Sequence, residues 1–332
     1  MNIRNNKSKS AHITTQPFTS NIENLFNRAF CLLNSKDIEF GNENHFSIIE
    51  ENPSILKTDK FKYVANNVDD YAKSEQLFSE VLKLKPSHTT SLIFRGIAKY
   101  QQMDYEGAFD DCSKAIITEP DNPFAYNVRG NIRKEMNDFK NAIDDFTTAI
   151  KLDSNYMRAY FNRGLVNYEI QDYQGAIDDY TKTISFDNTH AYSYFNRGAI
   201  HDILKNYQCA TEDYTKALKL NDRDVWAYIS RGIIYYDLQE YKKATDDYEN
   251  AIKYDPKCVE AYFNLALVKE DTDDYHGAID YYNKVIEIDS NYASAYINRG
   301  LILEKLRDYK RMLDDYIEEN SLDHNYDEVG VS

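Results

Sequence analysis

The sequence predicts an all-α protein in which one helix-turn-helix unit is repeated along the chain. The first indication is a glycine lattice with a period of 34 residues. Around each lattice position, aromatic and small residues recur at spacings of three and four, the periodicity of an amphipathic helix. A polar break such as Asn137-Asp138 separates the two helical stretches of a repeat, and an Asp or Asn there can cap the second helix. A strict period of this length indicates tandem units without one large central core. The lattice consists of Gly96, Gly130, Gly164, Gly198, Gly232 and Gly300, with Ala266 in the remaining place.

The lattice divides the chain into segments. Residues 1–21 are predicted to be a disordered, basic, Ser/Thr-rich tail, and residues 22–54 a degenerate helical unit. Residues 55–88 read as a degenerate repeat in which Lys62 replaces the glycine, and residues 327–332 as a C-terminal tail. Seven complete units cover residues 89–326, at 89–122, 123–156, 157–190, 191–224, 225–258, 259–292 and 293–326.

Charge and composition argue against several function classes. The formal net charge of −16 repels phosphate backbones, so nucleic-acid binding is not expected, and it steers basic partners towards the protein. No run of about 18 apolar residues is present, so we expect no membrane span. The N-terminal residues lack the apolar core of a secretory signal. The four cysteines show neither disulfide-type pairing nor metal-ligand spacing. We therefore expect an acidic cytoplasmic protein without a metal or cofactor.

The order and spacing of these residues resemble the tetratricopeptide repeat (TPR) family. The phrase AYFNRGLVNYEIQDYQGAIDDYTKTISFD at residues 159–187 is close to the family pattern, and similar phrases recur in phase over residues 89–326. The resemblance implies a right-handed α-solenoid whose first helices line a concave groove that holds peptides. Co-chaperones of this family clamp a C-terminal carboxylate with lysines, but the corresponding places here, such as Ile93 and Ile97, supply no lysine. An Hsp70/Hsp90 carboxylate-clamp role is therefore not expected.

The chain departs from the family pattern at the residue before the glycine, which is usually leucine. Six repeats have arginine there and aspartate sixteen residues later, whereas the repeat with Leu265 has Tyr281. Because the two positions change together, they predict a partly buried, bidentate salt bridge between the two helices of a hairpin. The pairs are Arg95 with Asp111, Arg129 with Asp145, Arg163 with Asp179, Arg197 with Asp213, Arg231 with Asp247, and Arg299 with Asp315.

Candidate groove residues lie on the first helix of each repeat. Asparagine occupies the place two before the glycine in four repeats, and its amide could bind one peptide unit of an extended ligand or pack structurally. The asparagines are Asn162, Asn196, Asn264 and Asn298. Aromatic residues on the same face could anchor a ligand, with the lone tryptophan as a hot spot, or pack between neighbouring repeats. They are Phe124, Phe161, Tyr192, Phe195, Trp226 and Phe263.

An acidic edge is predicted further along the same face. Its residues are Glu135, Glu169, Asp202, Asp237, Glu270, Asp271 and Glu304, mixed with Lys134 and Lys305. A face that is aromatic at one edge and acidic at the other suits an extended segment with apolar and Lys/Arg side chains.

Catalytic motifs are absent from the sequence. The histidines are scattered and each lattice glycine stands alone inside a helix, so neither a metal-protease motif nor a phosphate loop is present. We expect a non-enzymatic scaffold that binds an extended apolar and basic segment of a protein partner. One alternative is a structural, self-assembling component that uses its outer face or an uncapped C-terminal end around Leu313, Tyr316 and Ile317. Another is a regulatory module for an enzyme carried on a different chain.

Overall fold

The structure is a computed structural model that describes residues 22–29, 68–308, 310–312 and 314–317. Within these residues the regular secondary structure is helical, without a strand. The predicted tails at 1–21 and 327–332, and most of the two degenerate units, lie outside the described residues. The helices are α1 (22–29), α2 (Val68–Leu84), α3 (Thr89–Gln101), α4 (Tyr105–Thr118), α5 (Pro123–Glu135), α6 (Phe139–Leu152), α7 (Met157–Glu169), α8 (Tyr173–Phe186), α9 (Ala191–Ile203), α10 (Tyr207–Leu220), α11 (Val225–Asp237), α12 (Tyr241–Tyr254), α13 (Val259–Asp271), α14 (Tyr275–Ile288) and α15 (Ala293–Lys305), followed by helical residues 310–312 and 314–317.

The described residues fall in two compact units, of which the first ends at Asp172 and the second begins at Tyr173. In the first unit, helices α2 to α7 pack in chain order, each against the next. In the second unit, helices α8 to α15 do the same. We call the odd-numbered helices from α3 onwards the first helices, and the even-numbered helices the second helices. Successive first helices also contact one another, α3 with α5 and α5 with α7 in one unit, α9 with α11 and α11 with α13 in the other. The predicted all-α class of tandem helix-turn-helix repeats, an α-solenoid, is confirmed.

Each hairpin turn is built around one residue in the left-handed region. Asn137 between α5 and α6 has φ of 58°, and Gln239 between α11 and α12 also has φ of 58°. The next residue, Asp138, donates its backbone N–H to the Arg133 carbonyl at 2.8 Å, which closes the end of the first helix. Side-chain capping of the second helix is less regular than the sequence suggested. Asp104 and Asp274 accept a hydrogen bond from a backbone N–H of the following helix, whereas Asp138 and Asn206 do not.

The glycine lattice has a packing cause. A Cβ atom on Gly232 would lie 2.6 Å from Cε1 of Tyr248, a fully buried ring on the second helix of the same hairpin. On Gly130 a Cβ would lie 2.7 Å from Cε1 of Phe146. Glycine at these places lets a first helix approach the large aromatic ring opposite it. Gly300 is less tightly packed, because its nearest neighbour, Cε1 of Tyr316, would lie 3.3 Å away.

Replacing Gly232 with alanine should therefore destabilise the protein. Alanine is the better helix former by about 1 kcal/mol, but its methyl group must displace the Tyr248 ring. We expect Gly232→Ala to lower the free energy of unfolding by about 1–2 kcal/mol. The matched variant Gly300→Ala should leave it within about 0.5 kcal/mol or raise it. Urea denaturation followed by circular dichroism measures both, and equal effects of the two substitutions would contradict the packing explanation.

Candidate interaction surface on the first helices

The arginine before a lattice glycine joins the two helices of its hairpin. In the first hairpin, Nε and Nη2 of Arg95 donate to the two carboxylate oxygens of Asp111 at 2.7 and 2.6 Å. The aspartate of each such pair is buried, and Asp111 is only 1% exposed. The two-point contact seen for Arg95 and Asp111 also joins, at 2.5 to 3.0 Å, Arg129 to Asp145, Arg197 to Asp213, Arg231 to Asp247 and Arg299 to Asp315. Arg163 lies in the first unit and Asp179 in the second, and their pairing stays a prediction.

The same guanidinium also reaches the preceding repeat. Nη1 of Arg231 donates to the Thr215 hydroxyl on α10 at 2.8 Å. Equivalent bonds join Arg95 to Ser79, Arg129 to Ser113, Arg163 to Thr147, Arg197 to Thr181 and Arg299 to Asn283. Sequence reasoning missed these acceptors. The sequence does contain a pattern that could have identified them. The position sixteen residues before each of these arginines holds Ser, Thr or Asn, whereas Glu249 lies sixteen residues before Leu265.

Further contacts fix the arginines and their carboxylate partners. The guanidinium carbon of Arg197 lies 5.7 Å from the centre of the Tyr194 ring, in cation–π geometry. The hydrogen bond to Asp213 raises the pKa of Arg197 above its usual value. Two aspartates in the first unit hold a second cation, because Lys99 lies 3.0 Å from Asp111 and Arg133 lies 2.6 Å from Asp145. These arginines therefore act as structural braces.

Breaking one brace should strand a buried charge. We expect Arg231→Leu to lower the free energy of unfolding by about 3 kcal/mol, because Asp247 then lacks its partner. Adding Asp247→Tyr should restore at least half of the loss, since Leu265 and Tyr281 occupy these places in a neighbouring repeat. A double-mutant cycle in urea denaturation measures the coupling. The exposed Arg223 gives the control Arg223→Leu, which should have little effect. A coupling of zero would rule out the brace as a source of stability.

The predicted asparagine row lies beneath the surface for much of its length. Asn162 is 3% exposed, and its Nδ2 donates to Oδ1 of Asn127 at 3.0 Å. Asn196 is also 3% exposed, and its amide has no hydrogen-bond partner among the described residues. Asn298 donates to the Tyr282 hydroxyl at 3.1 Å, and Asn264 is half-buried. Asn162 and Asn298 thus form hydrogen bonds within the protein, as the packing alternative expects. Asn196 is too deeply buried to lie on a surface that a ligand could contact.

Most of the predicted aromatic anchors also pack within the fold. Phe161 and Phe195 are each 5% exposed, and the Phe195 ring centre lies 5.6 Å from that of Tyr214. The rings of Phe263 and Tyr292 are 5.2 Å apart. Trp226 and Tyr192 are half-buried and keep part of their surface accessible.

Phe124 packs against an aromatic ring of the preceding first helix, since its ring centre is 5.9 Å from that of Phe94. Inter-repeat packing therefore explains Phe124.

Exposed aliphatic side chains form an apolar surface that sequence reasoning did not identify. Ile233 on α11 is 38% exposed, and Ile297 and Leu301 on α15 are 36% and 44% exposed. Leu267 occupies the equivalent place on α13 and is half-buried. We call these four residues the apolar stripe. Three of the four directly follow a lattice place, and Ile297 lies three before one, at the place that the predicted aromatic anchors occupy in other repeats.

The acidic residues of the second unit lie at the ends of its first helices. The Tyr236 hydroxyl donates to Asp271 at 2.6 Å, and Lys305 lies 3.3 Å from Glu270. Burial and the charge of Asp237 raise the pKa of Asp202 to about 6. In the first unit, Glu135 is paired with Lys134 at 2.7 Å.

Family and structure comparisons agree with this architecture. A TPR repeat model matches residues 130–171 and 232–273, and a tetratricopeptide repeat model matches residues 191–224 and 259–292. No curated protein matches the chain. The hairpins and their repeated packing define a helical repeat scaffold. The chain belongs to the tetratricopeptide repeat family.

Solved structures of similar fold come from proteins of low sequence identity. YrrB, a TPR protein with an unusual peptide-binding site, is 20% identical, with 57% of this chain and 97% of YrrB covered at a TM-score of 0.51. The C-terminal part of a TPR repeat-containing protein from Cytophaga hutchinsonii is 19% identical, with 71% of this chain and 98% of that chain covered at a TM-score of 0.58. PilF of Pseudomonas aeruginosa is 19% identical, with 61% of this chain and 92% of the PilF chain covered at a TM-score of 0.53. At these identities the likeness shows the fold alone.

The described residues contain no helix with both the length and the apolar character to cross a membrane. In the same part of the chain, no three His, Cys, Asp or Glu side chains are grouped so that they could hold a metal ion.

Proposed function

We propose that this TPR protein is an interaction scaffold that holds an extended segment of a partner protein against its first helices. The repeat fold is typical of non-enzymatic protein–protein interaction scaffolds, and the apolar stripe is the observation that carries the finer proposal. Ile297 and Leu301 are four residues apart on α15 and share one face of that helix. Exposed apolar side chains that are aligned on successive helices favour contact with apolar groups of a partner.

Trp226 extends this surface. It precedes Ile233 by seven residues on α11, which is two helical turns, so both residues lie on one side of the helix. A half-buried tryptophan offers a large contact area at a fixed orientation, which is why this residue is enriched among binding hot spots.

The character of the partner follows from charge. Asp202, Asp237, Glu270, Asp271 and Glu304 lie on the last turns of first helices in the second unit. A negative edge beside apolar residues favours a partner segment with apolar and Lys/Arg side chains. The strongly negative net charge disfavours nucleic acid as the partner.

Removing apolar groups from the stripe should weaken peptide binding. Peptides would be selected from a random 12-residue display library on the wild-type protein, and their affinities measured by fluorescence anisotropy. Because each stripe side chain contributes about 1.4 kcal/mol when a ligand covers it, Ile233→Ser and Leu301→Ser should each weaken binding about tenfold. Leu220, which is 41% exposed on a second helix, gives the control Leu220→Ser, which should change affinity less than twofold. Failure to select any peptide, or equal losses in all three variants, would count against this site.

A second candidate function is assembly through the C-terminal end. Ile317 is 59% exposed at the last described residues, and an exposed apolar side chain at a stack end favours contact with another chain. Light scattering should then show a mass that rises with concentration, and Ile317→Ser should abolish the rise. A constant monomer mass would exclude this candidate, and it would leave the proposed peptide site unaffected.

A further inference from the structure

The repeat without a brace arginine differs from the others at all three places of the brace. In the preceding hairpin, Arg231 donates to the Thr215 hydroxyl at 2.8 Å and to the two carboxylate oxygens of Asp247 at 2.8 and 2.6 Å. One repeat later the arginine and its carboxylate have both been lost, whereas the hydroxyl acceptor has become a carboxylate. The three places, in the order acceptor, arginine and carboxylate, hold Glu249, Leu265 and Tyr281.

The aromatic ring that receives the guanidinium is nevertheless kept. The guanidinium carbon of Arg231 lies 5.9 Å from the centre of the Tyr228 ring. Four further arginines before a lattice glycine contact the equivalent ring at 5.5 to 5.8 Å. Tyr262 occupies the same place, three residues before Leu265. Its own repeat supplies no arginine to this ring, because the arginine place holds a leucine.

Tyr262 and Tyr281 form an aromatic pair at this place. Their ring centres are 6.3 Å apart, and the ring planes are inclined by 40°. Both residues are half-buried, and Glu249 is exposed. The guanidinium place also reaches the surface in other repeats, since the arginine side chains with an observed carboxylate contact are 15–19% exposed. A cation that arrives from solvent therefore meets two aromatic rings and one carboxylate.

Glu249 occupies a place that reaches the guanidinium in the other repeats. On either side of it along the chain, the Thr215 hydroxyl and the Asn283 amide oxygen accept a hydrogen bond from the following arginine at 2.8 and 2.5 Å. A glutamate side chain is longer than either of these. Burial raises the pKa of Tyr281, and the negative charge of Glu249 raises it further. The carboxylate thus lies within electrostatic reach of the aromatic pair.

Two lysines of the same hairpin are bound to other carboxylates. The charge of Lys269 acts on Tyr281, but its ammonium group lies 2.8 Å from Asp274. Lys284 lies 2.5 Å from Glu287. Neither lysine replaces the missing arginine, since each already has its own ion-pair partner.

We propose that Glu249, Tyr262 and Tyr281 bind the guanidinium of an arginine side chain from a partner protein. In this site the two rings supply cation–π contacts, and the carboxylate accepts a charge-assisted hydrogen bond. Arginine fits better than lysine, because its planar group stacks on aromatic faces while its donors reach a carboxylate. The partner thus supplies the arginine that the other repeats carry themselves.

This arginine site is separate from the apolar stripe. Leu265 and Leu267 are two positions apart on α13, which corresponds to about 200° around the helix axis. A ligand on the stripe therefore leaves the arginine site accessible. The inference goes beyond the proposed function and does not rest on it.

The test removes the carboxylate or fills the site from within the chain. Glu249→Gln removes the negative charge. The triple variant Glu249→Thr/Leu265→Arg/Tyr281→Asp rebuilds the brace of the other repeats, so that the protein's own arginine occupies the site. Glu212→Gln, at an exposed glutamate of α10, is the matched control, because all three variants change the net charge by the same amount. Circular dichroism would verify the helical content of each.

A random 12-residue display library would first be depleted on the triple variant, which keeps the apolar stripe, and then selected on the wild-type protein. If the triple variant has lost helix, Glu249→Gln takes its place in the depletion step. The affinities of the enriched peptides for the wild-type protein, for each variant and for Ile233→Ser would be measured by fluorescence anisotropy.

The site is supported if the enriched peptides share an arginine and bind Glu249→Gln about tenfold more weakly, with no detectable binding to a folded triple variant. Their affinity for Glu212→Gln and Ile233→Ser should change less than about twofold, and replacing the shared arginine with lysine should weaken binding to the wild-type protein. Enriched peptides without a common arginine, no enriched peptide, or an equal loss on Glu212→Gln would overturn the inference. None of these results bears on the apolar stripe, because the depletion step removes the peptides that bind there.

Discussion

The bond network of one arginine side chain holds this architecture together. Each of the five arginines with an observed carboxylate contact stands on a first helix, holds a carboxylate on the second helix of its own hairpin, and donates to a hydroxyl or amide on the preceding second helix. Arg231, for example, contacts Asp247 and Thr215 at the same time. Because each of its three nitrogens donates to a group at a fixed place, the guanidinium sets both the geometry within a hairpin and the join to the preceding one. A lysine could not replace it, since a single ammonium group lacks the planar fork of donors.

This arrangement explains where the residues of the proposed binding surface lie. The arginine and its aspartate occupy the buried side of the hairpin, and the lattice glycine admits an aromatic ring next to them. The opposite side of the first helices does not contribute to these contacts, so its residues can vary. Ile233 and Asp237 are exposed residues of the same helix that take no part in the brace. In the mode of binding proposed for the apolar stripe, stability and recognition use different faces of the same helices, which allows one to change while the other is kept.

The fold and the salt bridges within the hairpins could be predicted from the sequence because the residues that form them recur with the period of the repeat. The joint replacement at Leu265 and Tyr281 was informative because losing only one member of a buried salt bridge would leave the other charge without a partner. The bond to the preceding repeat was missed because its acceptor is chemically varied. The burial of Asn162 and Asn196 could not be predicted from helical periodicity. The periodicity indicates the side of the helix on which a residue lies, but it does not indicate how closely the next helix packs against that side. The acidic residues could be identified one by one, whereas the raised pKa of Asp202 depends on burial and on Asp237 of the neighbouring first helix.

The repeat that lacks the arginine has a mechanical consequence. Leu265 is 1% exposed and contributes to an apolar cluster with Tyr248 and Tyr281. Without the arginine, this hairpin is held to its predecessor mainly by dispersion and burial, beside the single hydrogen bond from Tyr236 to Asp271. Such contacts are short-ranged and lose their strength as soon as the surfaces separate, whereas charged hydrogen bonds resist separation over a longer distance. Under tension along a stack, each join carries the same load. The join between α12 and α13 would then part first, and the repeats on either side would keep their braces.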